Sequence, residues 1–216
     1  MQTAGVYVPF PMQQVLVMRH GESVWNVEGR WQGWSDPPLT AQGEADAERR
    51  ARHLAREGFR PRAVYSSDLL RASRTAEIVA GHLDVPMIID AGFRERDVGE
   101  WAGHTNDEID AGWPGLRERW RHGELEHPPG GETDASLLAR FDIALVHALA
   151  HVGTGMLAIV CHHGNVRAVA TRAGVRVNQR IPNLAGFWFD VGTDGTLCRP
   201  IAVDTLPDDD VHASVE

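Results

Sequence analysis

The chain has 216 residues, of which 43% are hydrophobic and 24% are charged, and its formal net charge is -9. This composition is typical of a globular protein with enough apolar material for one sizeable core. The negative charge argues against a nucleic-acid-binding surface and, less strongly, against an anionic membrane as a partner. We also predict no membrane-spanning helix, because we expect no stretch to combine the required length and apolar content.

The two ends of the chain differ in composition from its middle. We expect residues 1–12 to be an N-terminal extension without the basic start of a signal peptide, and residues 204–216 to be a solvated acidic tail. Residues 13–203 would then form a single domain. Cys161 and Cys198 are too few for a disulfide framework or a four-thiolate zinc site, so we expect free thiols and a reducing, cytoplasmic location.

The first predicted strand is an apolar run at residues 15–18, which is typical of a strand buried on both faces of a parallel sheet. The run ends at Arg19-His20-Gly21, and the open end of such a strand is where α/β proteins bind ligands. Arginine matches a phosphate, histidine can be a base, metal ligand or nucleophile, and glycine lets a ligand approach the backbone. On its own, the tripeptide is more simply explained as a strand end with a solvated arginine.

A surface helix and a strand-turn-helix unit come next. The surface helix is predicted over residues 41–57, with Thr40 as its N-cap and Gly58 at its end. Residues 61–67 predict a second strand. The apolar side chains of residues 69–83 fall on one helical face, so a helix follows this strand directly.

The N-terminus of that second helix is a candidate anion site. We expect Ser67 or Asp68 to cap it, and Arg71 lies in its first turn. Unpaired backbone N–H groups and the helix dipole already favour an anion at such a position.

The middle of the chain is predicted to leave the core. Residues 85–90 predict a short third strand, and residues 94–103, which are dense in charge and glycine, predict a loop. Residues 104–131 are expected to form a lid insertion over the sheet. Its side chains have two explanations that stay open, namely substrate contact or a small tryptophan cluster with solvated arginines. The residues concerned are Trp113, Arg117, Trp120 and Arg121.

A further helix is predicted to begin after Thr133, because residues 137–152 carry an apolar stripe. His147 and His151 are four residues apart on this helix, a spacing that zinc sites use. They lie off the apolar stripe and have no third ligand at metal-like spacing. We therefore expect both histidines to be solvated and predict no metal site.

A second buried strand, residues 156–161, also ends in a polar turn, His162-His163-Gly164-Asn165. Two strands ending in His-Gly and a helix presenting Arg71 would bring arginines, histidines and helix N-termini together, as a phosphate pocket requires. Residues 185–191 and 197–203 predict a terminal hairpin. The expected fold class is therefore α/β.

With these motifs in place, the sequence resembles the histidine phosphatase superfamily, also called the phosphoglycerate mutase-like family. The family hallmark Arg-His-Gly-Glu appears at residues 19–22, and further motifs follow in family order over nearly the whole chain. They are Trp25-Asn26, Gly33-Trp34, Leu39-Thr40 with Gly43, 66–69, Arg71-Ala72, 75–77, Glu95, 99–103, 128–133 and 163–165. His162 stands where the family often has serine, and we take His163 as functional because glycine follows it.

The resemblance implies a three-layer α/β/α sandwich with a mostly parallel central sheet, and it implies catalytic roles. His20 would attack phosphorus and become phosphohistidine. Arg19, Arg71 and His163 would hold the phosphoryl oxygens, and Glu95 would protonate the leaving alcohol and then activate water. No cofactor or metal is implied. The implied substrate-binding residues are Arg19, Gly21, Asn26, Arg71, His163 and Gly164.

The resemblance also bears on the reaction type. Family mutases share a longer insertion that begins Glu-Arg-His-Tyr-Gly, whereas Glu95 is followed here by Arg96-Asp97-Val98-Gly99 and a shorter lid. This favours hydrolysis of a small phosphomonoester, with cofactor-dependent phosphoglycerate mutase as the alternative. A catalytically silent binding module would be expected to lose a catalytic residue, and none is lost. We expect a monomer or homodimer with no nucleic-acid or membrane partner.

Overall fold

The computed structural model describes residues 13–177 and 179–203, in which strands and helices alternate around one sheet. The expected extension and acidic tail lie outside the described residues. The elements are β1 (Gln14–Arg19), α1 (Val24–Val27), α2 (Ala41–Arg56), β2 (Pro61–Ser66), α3 (Leu70–Leu83), β3 (Met87–Ile89), α4 (Asn106–Gly112), α5 (Leu116–Arg121), α6 (Asp134–Val152), β4 (Met156–Cys161), α7 (His163–Arg172), β5 (Gly186–Val191) and β6 (Leu197–Val203).

The sheet has six strands in the order β3-β2-β4-β1-β5-β6. The first four strands of the chain pair in parallel, while β5 runs antiparallel to β1 and β6 antiparallel to β5. The sheet is therefore mostly parallel, and the predicted terminal hairpin is confirmed. The carboxyl ends of β1 and β4 lie side by side, which brings their two polar turns to the same edge.

Alternate side chains of the central strands build two cores, one on each face of the sheet. Val15 and Val17 pack with α6 and α7, whereas Leu16 and Met18 pack with α2 and α3. All four are fully or almost fully buried. A strand covered by helices on both faces has to be apolar throughout, which explains the continuous run and confirms the α/β/α layers.

The predicted caps agree with the structure at α2 but not at α3. The Thr40 hydroxyl accepts from the backbone N–H of Gly43, as predicted. The N-cap of α3 is Leu69, so the prediction of Ser67 or Asp68 is wrong. The Ser67 hydroxyl accepts the N–H of Leu69, and the first helical N–H, that of residue 70, donates to the carboxylate of Asp36 in the loop between α1 and α2.

The predicted lid contains α4 and α5, and the loop before it contains a short 3-10 turn, Gly99–Trp101. Val98, Trp101 and Ile109 form a separate buried cluster, against which three further tryptophans pack. Gly99 has φ +53° and lies against the backbone of residues 129–131, where no side chain would fit. The loop and the lid thus share a small core of their own.

One described helix, α6, is long and apolar enough to cross a membrane by length and composition alone. The expectation that no stretch would qualify is therefore wrong. Its stripe, which includes Leu137, Phe141 and Leu145, is buried against the sheet, as in the core helix of a globular domain. His147 and His151 lie on the exposed side, and the latter bonds to Tyr65.

Both cysteines are free thiols, as predicted. Cys161 is buried at the end of β4, and burial raises the pKa of its thiol. Cys198 is partly buried in β6. Burial in apolar surroundings therefore keeps the Cys161 thiol protonated.

Candidate active site

His20 lies directly after β1, at the carboxyl edge of the sheet. Its backbone N–H donates to the carbonyl oxygen of Cys161 at 2.9 Å, which ties it to the neighbouring end of β4. The side chain is only 2% exposed. The pairing of β1 with β4 therefore places this histidine beside the second polar turn of the sequence.

The hydrogen bonding of His20 selects one ring nitrogen for chemistry. Its Nδ1 lies 2.6 Å from the carbonyl oxygen of Gly21, which can only accept, so Nδ1 carries the proton. Burial, followed by the positive charges of Arg71 and Arg19, holds the pKa of His20 well below its usual value. The ring is therefore neutral at pH 7, with an unprotonated Nε2.

Arg19 and Arg71 are the two buried cations of this site. The Nη1 atom of Arg19 donates to the carbonyl of Ile181 at 2.7 Å, and Arg71 donates to the carbonyls of Gly33 and Ser35 at 2.9 and 2.7 Å. Burial lowers the pKa of Arg19 to about 9 and that of Arg71 to about 10, so both stay protonated at pH 7. Among the described residues, the buried Nε atom of each has no hydrogen-bond partner.

Glu95 comes into the site from the loop after β3. Its Oε1 accepts the N–H of Arg96 at 2.7 Å and the N–H of Gly164 at 3.0 Å. Its own carbonyl oxygen accepts from Trp34 and Arg140, both at 2.7 Å. Backbone and side chain are thus both fixed, and the carboxylate is attached to the N-terminus of α7.

His163 is the first residue of α7 and is partly buried beside Glu95 and Arg19. Burial lowers its pKa to about 4, the Glu95 carboxylate opposes this shift, and Arg19 adds to it. The ring is therefore neutral at pH 7 and offers one N–H donor. The structure brings His20, Arg19, Arg71, Glu95 and His163 together, as the sequence predicts.

Gly21 and Asn26 belong to a backbone clamp around the nucleophile. The N–H of Gly21 donates to the Thr75 hydroxyl at 3.0 Å, so it is already used within the protein. Asn183 donates to the carbonyls of His20 and Gly21, and to the side-chain oxygen of Asn26 at 3.1 Å. Within the described residues, the side-chain oxygen of Asn26 is thus occupied, and its amide nitrogen remains as a donor.

The lid adjoins this site through Trp120, whose ring packs against the guanidinium of Arg96, and the other lid candidates make their contacts elsewhere. Trp113 packs in the lid cluster and donates to Glu100 at 3.2 Å. Arg117 forms a bidentate ion pair with Asp110, and with Arg121 it lines a separate surface hollow. Neither arginine is among the charges that shift the pKa of the site residues. The structure supports the tryptophan-cluster explanation over substrate contact.

Several residues of the site escape sequence reasoning. Asn183 and Ile181 lie in the loop before β5, where the sequence offers only an ordinary Pro-Asn turn. Arg140 lies on α6, and its guanidinium bonds to the carbonyls of Gly92, Arg94 and Glu95. These contacts go to backbone oxygens, which every residue type has, so no residue pattern reveals them.

Comparison with known proteins connects this geometry to a family. Residues 15–185 match the model of the histidine phosphatase superfamily (branch 1). The chain is 34% identical over 180 residues to a protein of Methylobacterium radiotolerans named 2,3-bisphosphoglycerate-dependent phosphoglycerate mutase. The alignment covers 80% of this chain and 85% of that relative.

Solved structures give a second set of neighbours. A mycobacterial glucosyl-3-phosphoglycerate phosphatase in complex with VO3 superposes with a TM-score of 0.79 at 26% identity, covering 89% of this chain and 99% of that one. Bacillus stearothermophilus YhfR also superposes with a TM-score of 0.79, at 28% identity, covering 90% of this chain and 98% of that one.

Proposed function

The chain belongs to the histidine phosphatase superfamily, and we propose that within it the protein is a metal-independent phosphomonoester hydrolase that uses His20 as its nucleophile. The observation that carries the proposal is the state of His20. Its Nδ1–H is bound to the Gly21 carbonyl, so a neutral ring presents an unshared electron pair on Nε2 between two arginines. A nucleophile must be unprotonated, and the arginines favour that form while attracting the phosphoryl group.

In the first step, Nε2 of His20 attacks phosphorus, an N–P bond forms, and the bond from phosphorus to the alcohol oxygen breaks. Arg19, Arg71 and the N–H of His163 stabilise the negative charge on the phosphoryl oxygens. The departing oxygen takes a proton from Glu95. Because Oε1 of Glu95 already accepts two backbone N–H bonds, the proton belongs on Oε2.

In the second step, water attacks the phosphohistidine. Glu95, now ionised, accepts a proton from this water, the N–P bond breaks, and phosphate leaves with His20 restored. The same carboxylate thus acts as acid and then as base. Positioning and electrostatic stabilisation dominate phosphoryl transfer, and the two guanidinium groups supply the positive charge.

Phosphoglycerate mutase is the second candidate, because the relative from Methylobacterium carries that name at 34% identity. The alignment covers similar fractions of the two chains, so their overall lengths are similar. A short lid therefore does not by itself exclude a mutase. Hydrolysis is supported by the mycobacterial neighbour, which is named a phosphatase and is covered almost completely. Val98, which stands where the mutase motif has tyrosine, is buried in the lid cluster and offers the pocket no polar group.

Two exposed arginines support a substrate with a second negative charge. Arg167 lies four residues after His163 on α7, hence on the same face, and Arg180 precedes Ile181, which binds Arg19. Both lower the pKa of His163. Neither has an ion pair within the described residues, whereas the lid arginine Arg117 is neutralised by a carboxylate.

The test is rapid quenching during turnover, with p-nitrophenyl phosphate and with a panel of phosphorylated metabolites that have or lack a carboxylate. A phosphoryl group that is stable in base and labile in acid should be trapped on the wild type, and EDTA should leave turnover intact. His20→Ala should trap none, while the exposed-site control His147→Ala should behave as wild type. Turnover lost to EDTA and restored by one metal would refute the mechanism.

The choice between hydrolysis and mutase chemistry needs its own assay. With 3-phosphoglycerate and a bisphosphoglycerate primer, we expect phosphate release to exceed the formation of 2-phosphoglycerate, measured by coupling to enolase. A mutase must shield its intermediate from water while the monophosphate reorients. Primer-dependent isomerisation well above hydrolysis would assign the second function instead.

A further inference from the structure

The structure holds a third histidine at the nucleophile, His162, in the turn between β4 and α7. Arg19 pairs with Cys161 in the parallel register of β1 and β4, so His20 and His162 each follow one member of that pair. They leave the sheet on the same face, and their ring centroids lie 5.2 Å apart in an edge-on arrangement. His162 is fully buried.

Both ring nitrogens of His162 are unpaired within the described residues. Neither Nδ1 nor Nε2 of His162 has a hydrogen-bond partner among residues 13–177 and 179–203, and both atoms are inaccessible to solvent. Burial, followed by the positive charge of Arg71, holds the pKa of His162 well below the usual value, so the ring is neutral. A neutral imidazole carries one N–H donor, and a buried donor without an acceptor is costly.

The unpaired groups next to it indicate where the acceptor would come from. The Nε atoms of Arg19 and Arg71, which the proposed function directs at the phosphoryl oxygens, are also buried without a partner. Arg71 is the charge that most strongly affects both His20 and His162, after burial. The orphaned donor of His162 therefore lies beside the His20 ring, in the same site as these two unpaired arginine donors.

We propose that His162 is a further catalytic residue, whose imidazole N–H donates a hydrogen bond to an oxygen of the phosphoryl group being transferred to His20. The proposal rests on the proposed function. The hydrogen bond from a neutral donor strengthens as negative charge accumulates on the phosphoryl oxygens. It adds no further cation beside Arg19 and Arg71. The same hydrogen bond satisfies a buried N–H that has no partner in the described part of the chain.

Three substitutions separate donation from packing. His162→Phe keeps a ring at the edge of His20 and removes the donor, whereas His162→Asn and His162→Gln remove the ring and place an amide N–H near Nδ1 or Nε2. Orthovanadate, a mimic of five-coordinate phosphorus, serves as the probe, and its dissociation constant is measured by calorimetry. We expect His162→Phe to weaken vanadate binding and kcat/KM by about 10-fold to 1000-fold, and one of the two amides to stay within about 10-fold of wild type.

The outcomes distinguish this proposal from the proposed function. If phosphohistidine forms and His162→Phe binds vanadate as wild type does, the ring only packs and the inference fails alone. The inference fails as well if both amides are as poor as phenylalanine. If no phosphohistidine forms but vanadate binding still follows the donor, the proposed function fails and the anion contact stands.

A measurement on the wild type covers the case in which variants do not fold. With 15N-labelled histidine, the ring N–H of His162, assigned through its nuclear Overhauser contacts to the His20 ring, should shift downfield when vanadate is added. An unchanged resonance would overturn the proposal. His147→Phe on the exposed face of α6 controls for the loss of an imidazole elsewhere and should leave vanadate binding unchanged.

Discussion

Gly164→Ala tests the role of Glu95 by steric displacement, without changing any charge. Gly164 donates its N–H to both carboxylate oxygens, at 3.0 Å to Oε1 and 3.3 Å to Oε2. A Cβ atom at this position would stand 2.3 Å from Oε1, whereas ordinary contact begins at 3.4 Å. The carboxylate, which is the end of a flexible side chain, must therefore withdraw by about 1 Å, a misplacement that can cost about 100-fold in rate.

The expected loss depends on the leaving group. With a sugar phosphate or another alkyl phosphate, the departing oxygen needs a proton, so the single-turnover rate of Gly164→Ala should fall about 100-fold. With p-nitrophenyl phosphate the leaving group is a weak base, so the first step should change little. The second step uses the same carboxylate to activate water, so this substrate should give a burst of p-nitrophenol followed by slow turnover.

The assay is single-turnover quench flow on both substrates, with Glu95→Gln as the reference for complete loss of the acid. Gly81→Ala is the matched control, because a Cβ at this helical position of α3 meets no atom within 4 Å. Equal losses on the two substrates would refute the reasoning, since the change would then act on His163 and the phosphoryl group. Wild-type rates on both would show that the position of Glu95 does not matter.

Three further predictions concern stability. The histidines His20, His162 and His163 have pKa values below 6.5 in the folded chain, so the unfolded chain binds more protons as the pH falls. The free energy of unfolding should therefore drop by about 4 kcal/mol between pH 7.5 and 5.5, or about 1.4 kcal/mol for each histidine. Urea titration should show this drop, and His162→Phe should remove about a third of it. Gly99→Ala should lower the free energy of unfolding by more than about 3 kcal/mol, because φ is +53° and the new Cβ would stand 2.1 Å from the carbonyl oxygen of residue 129. Gly58 also has a positive φ but lies in open space, so Gly58→Ala should cost about 1 kcal/mol. Equal shifts in Tm for the two variants would contradict this prediction. Arg140→Gln should lower the free energy of unfolding by about 3 kcal/mol, because the Glu132 carboxylate, which is 12% exposed, loses its partner. Arg172→Gln breaks an exposed ion pair and should cost under about 1 kcal/mol. Comparable losses would show that burial does not govern the strength of these pairs.

The sequence predicts the parts of the fold that depend on periodic burial and local caps. The runs that form β1 and β4 are apolar at every position because helices cover both faces, and Thr40 caps α2 with its own hydroxyl. The start of α3 could not be predicted in this way. The carboxylate that accepts its first N–H belongs to Asp36, which lies 34 positions earlier in the chain, so the cap is a tertiary contact.

The same distinction between local pattern and tertiary contact applies to the candidate site. His20 and His163 are predicted because each is followed by glycine at the end of a buried strand, whereas Glu95 is predicted only by the family resemblance. The lid arginine Arg117 has suitable chemistry as well, but the carboxylate of Asp110 neutralises its charge. This ion pair joins α4 to α5 across the turn between them, and composition does not reveal such a contact. Residue type predicts which groups are able to bind phosphate, and only the structure shows which of them remain available.

That availability follows from the groups that hold each arginine. Arg94 is held by the carboxylate of Asp68, which neutralises it, whereas Arg19 and Arg71 are held by backbone carbonyls, which fix a guanidinium without cancelling its charge. Two buried cations that form no ion pair among the described residues are unfavourable, and burial lowers their pKa values to about 9 and 10 although the Glu95 carboxylate opposes both shifts. Under the proposed function, a phosphoryl dianion would offset this cost by supplying negative charge. The same arrangement keeps His20 neutral, so the proposed function has a pocket preorganised both to attract a phosphate and to attack it.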